Sequence, residues 1–404
     1  MKNIVLISCL CFIATSYAQF NESYMDKSVR PQDDLYNYVS GNWMKTTVIP
    51  DDKVRWGSYE ELREKSDEVC LAILKNLITK EYKVGTDEQK IKDFYQSIMD
   101  VKSRDKEGLS PLIAYFDTID LIHGQEDLQR YIERMTVEGR NPFFAPYVSN
   151  HMKNSNVYAL YLGSASLSLG RDYYQKNDPK STEMLAKYKD YIQRLLQVIS
   201  PKSTNTFMAG EILEFEKSLA SNMLTVENLR NPDNRYNPLS KDDLARMIVY
   251  FDMKQYFKKL KLNVDTVILP EINYFRNLDK ILSSTNDEFL QSYLKFKILD
   301  NAMQLLSSDL DSVQFDFYGK ILSGQKQQRT KEKRALATIN GTYGEILGKL
   351  YIQKNFPPEA KSNVNELVKY VRESFGQHID HLQWMSAITK LKAREKLAKI
   401  TVKM

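Results

Sequence analysis

The stretch YEELREKSDEVCLAILKNLI (residues 59–78) sets how the rest of the chain is read. Val69, Ile73 and Leu77 follow at four-residue steps, and Cys70 and Leu74 repeat that step on the adjoining row. Apolar residues at this spacing form one stripe along a helix of 3.6 residues per turn. No glycine or proline interrupts it, and charged residues fill the other faces. The pattern predicts an amphipathic helix that lays one face on a core.

The same period recurs in EQKIKDFYQSIMDVK (88–102), EMLAKYKDYIQRLLQVI (183–199), AGEILEFEKSLASNML (209–224), DEFLQSYLKFKILDNAMQLL (287–306) and VNELVKYVRESFGQHIDHLQWM (364–385). Only 15 glycines and 12 prolines punctuate 404 residues, so helices are expected nearly everywhere. One segment, NVYALYLG (156–163), alternates as a strand does, and FFAPYVS (143–149) reads as its hairpin partner. NPDN (231–234) and FPPEAK (356–361) are turn signals, and Pro357-Pro358 suits a helix start. No repeat of fixed period is present.

Composition bounds the function. With 42% hydrophobic and 27% charged residues the chain has material for a large core. The net charge of +5 is spread over 57 basic and 52 acidic side chains without long like-charged runs, which is not the electrostatic footprint of a nucleic-acid binder. Residues 1–18 carry a short basic start, an apolar run from Ile4 to Ala14 and small residues ending at Ala18, so they read as a secretory signal peptide. Export to a periplasmic or extracellular space is expected, with no stable membrane span after cleavage, because no later stretch reaches 18 apolar residues. Cys9 and Cys11 leave with the signal. Cys70 then stands alone and reads as a small buried hydrophobe rather than a nucleophile. The 25 tyrosines fall mostly at helix-periodic positions and read as packing residues with a wet hydroxyl.

Motifs for chemistry are few. None of the four histidines (His123, His151, His378, His381) is followed by Glu, so the sequence has no HExxH pair. His378 and His381 lie three apart without a third ligand at helical spacing, and read as packed or solvated helix residues. GTYGEILGKL (341–350) lacks the spacing of a phosphate loop, and Lys349 precedes Leu350 rather than Ser or Thr. Its glycines are expected to allow close helix packing. No GxSxG elbow is present.

Longer blocks point further. MDKSVRPQDDLYNYVSGNWMKTTVIPDDKVRWGSYEELREKSDE (25–68), LSLGRDYY (167–174), RYNPLS (235–240), FDFYGKILSGQ (315–325), INGTYGEILGKLYIQKNFPPEAK (339–361) and WMSAITKLKAREKLAKI (384–400) follow in order along the chain. Together they resemble the neprilysin-type zinc metallopeptidases, family M13. RTKEKRALATIN (329–340) departs from the family, which usually has an Arg-Trp pair before this helix. The resemblance implies a mainly α fold: the large helical lobe of the neprilysin-like fold with a minor β-hairpin. Residues 19–404 would form the N-terminal domain, and the 25–65 segment would contact a catalytic lobe.

The resemblance also implies a function. In the family a short strand and an IGYP-like turn lead from the last of these blocks into the catalytic half, which carries HExxH. The sequence here reaches Val402-Lys403-Met404, just ahead of that turn. The expectation is therefore the substrate-chamber half of a truncated, secreted zinc metalloendopeptidase, inactive alone. Zinc is expected in the full-length protein, and peptide substrates and the catalytic lobe are the expected partners. Arg55 in VRWGSYEELR (54–63) matches the arginine that binds the substrate's C-terminal carboxylate, and Tyr59, Glu60 and Arg63 match its neighbours. A guanidinium fork suits that task, since it engages a carboxylate through two hydrogen bonds. Arg63 is equally spaced to pair with Tyr59 or Asp67 on a solvated helix. The alternative function is a naturally short, non-catalytic peptide-binding or inhibitory module.

Overall fold

The computed structural model describes residues 21–201 and 206–403, so the signal assigned to residues 1–18 lies outside them. The chain divides into two compact units, Met1–Arg63 and Glu64–Met404.

In the first unit a short 3-10 turn, Glu22–Tyr24, precedes the helix Leu35–Thr46. Asp34 starts that helix by accepting the Asn37 N–H at 2.9 Å, which satisfies one of the amides a helix N-terminus leaves open. Asp26 closes the unit. Its carboxylate accepts Lys45 Nζ at 2.5 Å and the Ser28 N–H at 3.0 Å, while its own N–H donates to the Tyr38 carbonyl at 2.9 Å. Gly41 faces it on the helix: a Cβ there would stand 2.8 Å from Asp26 Cβ, so only glycine admits this approach.

The second unit is built on two cores. The smaller joins three helices, Ser58–Leu77 (from Glu64 onward), Asp87–Met99 and Lys331–Asn355, through Leu74, Leu77, Ile91, Tyr95, Leu336 and Ile339. The predicted stripe does face this core. Cys70 sits at its margin, half-buried rather than buried, and burial together with the charge of Asp67 pushes its thiol up. The helix expected over 88–102 breaks at Asp100, whose side chain accepts the Ser103 N–H at 3.1 Å and starts a second helix, Val101–Glu107.

The larger core lies among the helices Pro179–Ile199, Thr206–Ser221, Ile272–Ser283 and Asp287–Ala302. Tyr188, Ile192, Leu195, Tyr274, Tyr293 and Phe296 are completely enclosed there. The predicted hairpin is present as β1 (Phe144–His151) and β2 (Asn154–Ser164), with Tyr147 opposite Tyr161 and their rings stacked at 5.2 Å. It extends into a four-stranded sheet of order β1-β2-β4-β3 through β3 (Pro238–Ser240) and β4 (Thr266–Ile268), β4 running parallel to β2. Strands of three residues are too short to show alternation, which hides them from a sequence pattern.

Two glycine-bearing segments behave differently. FDFYGKIL forms a π-helix, Phe315–Leu322, and a Cβ on Gly319 would lie 2.3 Å from the Phe315 ring. Gly341, Gly344 and Gly348 instead face open space, which corrects their reading as close-packing residues. The helix that holds them kinks at Tyr343 (φ −121°, ψ 25°).

Buried polar ties hold the large core in register. Glu216, with no exposed surface, accepts Tyr174 OH at 2.7 Å, Tyr188 OH at 2.8 Å and Ser168 Oγ at 3.1 Å, and lies 3.6 Å from Lys297 Nζ. Arg171 donates to Glu271 at 2.7 Å and to the Leu224 carbonyl at 2.6 Å, and Glu271 also accepts the Leu224 N–H at 2.7 Å. Removing one partner from such a group leaves the others buried and unpaired. Glu216→Ala is expected to lower the unfolding free energy by about 3–5 kcal/mol, against about 1 kcal/mol for Tyr174→Phe, as read by urea denaturation of each variant.

Candidate functional site

The residues singled out by sequence lie together at the start of the Ser58–Leu77 helix, within the first unit. Glu60 and Glu61 occupy its first turn, where the partial positive charge of the helix end favours carboxylates. Glu60 reaches back to Arg55: Oε1 lies 2.7 Å from Arg55 Nε. Gly57 permits this reach, since a Cβ there would stand 3.3 Å from the other carboxylate oxygen. The pair is asymmetric. Arg55 has 82% of its side chain exposed and Glu60 only 21%. The carboxylate is therefore the fixed member and the guanidinium the outward one.

The closest approach of Glu60 is to Nε, and the Arg55 side chain is otherwise largely exposed, a planar guanidinium of the kind that suits a carboxylate. Tyr59 is 85% exposed, and Arg63 is exposed one turn further along the same face. Asp67 accepts Arg329 at 3.3 Å. Arg55 and Glu60 are thus brought into contact, while Tyr59 and Arg63 are exposed on the helix that follows. Sequence reasoning missed the ties that hold this unit. Trp43 Nε1 donates to Glu61 at 3.3 Å, and the Asp26–Lys45 pair joins residues too far apart in sequence for any local spacing to signal them.

The comparisons with known proteins bear on what this group belongs to. The model of peptidase family M13, in its N-terminal region, matches residues 31–404. The chain belongs to peptidase family M13. Endothelin-converting enzyme-like 1 of Mus musculus is 26% identical over 400 residues, covering 94% of this chain and 51% of the mouse protein. The neutral endopeptidase of Lactococcus lactis is 25% identical over 378 residues, covering 92% of this chain and 60% of that protein. Among solved structures, the zinc metalloprotease Zmp1 of Mycobacterium tuberculosis in complex with an inhibitor superposes with a TM-score of 0.86 at 26% identity, over 94% of this chain and 58% of that one. The chain thus spans between half and two thirds of the length of these M13 relatives.

Zmp1 is by name a zinc metalloprotease. Among the described residues no three of His, Cys, Asp and Glu converge as ligands. His151 is engaged by Tyr236 OH at 3.1 Å and the Lys153 N–H at 3.2 Å, and His381 Nδ1 meets the Gln377 carbonyl at 2.7 Å. These residues do not fit a zinc site, and no zinc chemistry is assigned to them. No helix of the described residues is long and apolar enough to cross a membrane.

Hydrogen bonds from Lys45 and Ser28 hold the Asp26 carboxyl down from 3.8 to about 2. A carboxyl whose folded value is depressed stabilises the fold above its unfolded value, and that contribution disappears as pH falls through the folded one. Trp43 fluorescence is expected to report loosening of the first unit between about pH 4 and pH 2, and Asp26→Asn is expected to abolish that transition.

Proposed function

We propose that this chain forms the helical, substrate-enclosing half of an exported zinc metallopeptidase, that the hydrolytic residues lie in a further catalytic lobe, and that the chain alone does not cleave peptides. Residues 1–18 act as the export signal in this reading. The observation that carries it is an unpartnered apolar stripe. On the helix Pro358–His381, Leu367 is 60% exposed, Val371 59% and Phe375 56%, at steps of four residues. Exposed apolar residues aligned on one helix face mark a surface that lies against another polypeptide. Gly341, Gly344 and Gly348, with open space above each, add a second surface that admits close approach.

The Arg55 group supplies the substrate end of the same reading. Zinc hydrolysis requires three ligands, a position for water and a carboxylate base, which this reading assigns to the further lobe. What Arg55 adds is position: its free fork binds a peptide's terminal carboxylate and so fixes which bond is presented. Tyr59 and Arg63 flank that carboxylate, and Glu60 keeps the fork pointed outward.

Two measurements test this. In the full-length enzyme, Arg55→Ala is expected to reduce kcat/KM about tenfold for peptides with a free C-terminal carboxylate, and to leave amidated peptides unchanged. Equal loss for both classes would sink the assignment. Leu367→Glu with Val371→Glu is expected to change the stability of this chain by less than about 0.5 kcal/mol, while the full-length enzyme loses activity. Full activity in that double variant would remove the stripe as a docking surface.

A further inference from the structure

The second unit holds a cavity of about 920 Å³, the size of a small-ligand site, whose function is not accounted for by the Arg55 group. Leu112, Leu167, Leu294 and Ile298 give it an apolar wall. The helix Asp287–Ala302 adds Lys297 and Asp300, which are 7% and 5% exposed and form its buried floor. The two floor side chains differ in what they have left to offer. Lys297 Nζ is spent: it lies 3.0 Å from Ser168 Oγ, 3.3 Å from the Ser166 carbonyl and 3.6 Å from Glu216. Asp300 accepts one hydrogen bond on each oxygen, from Tyr191 OH at 2.7 Å and Tyr318 OH at 3.0 Å. A carboxylate oxygen has room for two, so each keeps an open lone pair.

The exposed rim offers the opposite charge. Arg140 holds its guanidinium 5.2 Å from the Tyr115 ring and forms no ion pair among the described residues. The Asn301 and Gln304 side chains line the same cavity and have no hydrogen-bond partner among the described residues. A simple anion would use Arg140 and leave Asp300 unmatched. A metal ion would meet a single carboxylate, and no ligand cluster surrounds it. A molecule with a cation at one end, an anion at the other and apolar bulk between uses every part of the lining.

We propose that this cavity binds short free peptides by both ends, the N-terminal ammonium on Asp300, the C-terminal carboxylate on Arg140 and the side chains on the leucine-rich wall. Free amino acids are the poorer fit, since their two charges sit on one carbon whereas Arg140 and Asp300 come from rim and floor. Asn301 and Gln304 serve the peptide groups between. The inference does not depend on the Arg55 reading, because it concerns different residues in the other unit.

The test is calorimetric titration of this chain with trileucine, N-acetyl-trileucine and trileucine amide. Trileucine is expected to bind saturably, and blocking either end to weaken it about tenfold. Arg140→Gln, an exposed change that leaves the core intact, is expected to bind trileucine and its amide equally while still rejecting the acetylated peptide. Asp300→Asn is expected to do the reverse, and Arg55→Ala to leave all three titrations unchanged. Absence of saturable binding to trileucine overturns the proposal. So does binding that is lost in Arg55→Ala yet unaffected in Arg140→Gln, which would assign the peptide to the Arg55 group.

Discussion

A single carboxylate organises the large core. Glu216 projects from the helix Thr206–Ser221 into a region with no solvent, and a carboxyl group there is tolerable only with donors around it. Those donors come from four other segments: Ser168 after β2, Tyr174 in the short helix Arg171–Gln175, Tyr188 in Pro179–Ile199 and Lys297 in Asp287–Ala302. Hydrophobic contact is non-directional and tolerates sliding, whereas this site accepts one arrangement of five segments. Asp300, one turn beyond Lys297, repeats the device with Tyr191 and Tyr318. With one ammonium serving two enclosed carboxylates, burial pushes the Asp300 carboxyl above its usual range.

The helices were legible because their signal is local. The 59–78 stripe and the 156–163 alternation each repeat within a few residues, and both elements formed within a few residues of their expected ends. The Glu216 network left a fainter trace. Glu216 falls on the apolar face of its own helix, four residues after Ile212 and four before Ala220, where a charge is out of pattern. Its partners lie 28 to 48 residues away for the tyrosines and the serine, and no spacing rule finds them. β3 and β4 were invisible because three residues cannot display a period of two.

The candidate site divides in the same way. Arg55, Tyr59, Glu60 and Arg63 were found as a motif, but the direction of the Arg55–Glu60 pair was not. An ion pair in which Arg55 used both terminal nitrogens would have consumed the fork. The closest approach is through Nε, and a contact that orients an arginine before a ligand arrives lowers the entropy cost of binding. The same contact in solvent contributes little to stability, so its value lies in orientation.

The apolar stripe of Pro358–His381 has no comparable role in holding the fold. That helix is anchored toward its C-terminal end. Gly376 and Ile379 are buried, Arg372 donates to the Leu397 carbonyl at 3.2 Å, and a Cβ on Gly376 would collide with Arg394. Leu367, Val371 and Phe375 belong to neither core. Residues that stabilise nothing within the chain yet keep an apolar face toward water impose a solubility cost with no internal return. An apolar face of this kind is suited to an intermolecular or interdomain contact, which is the kind of contact the chamber reading requires.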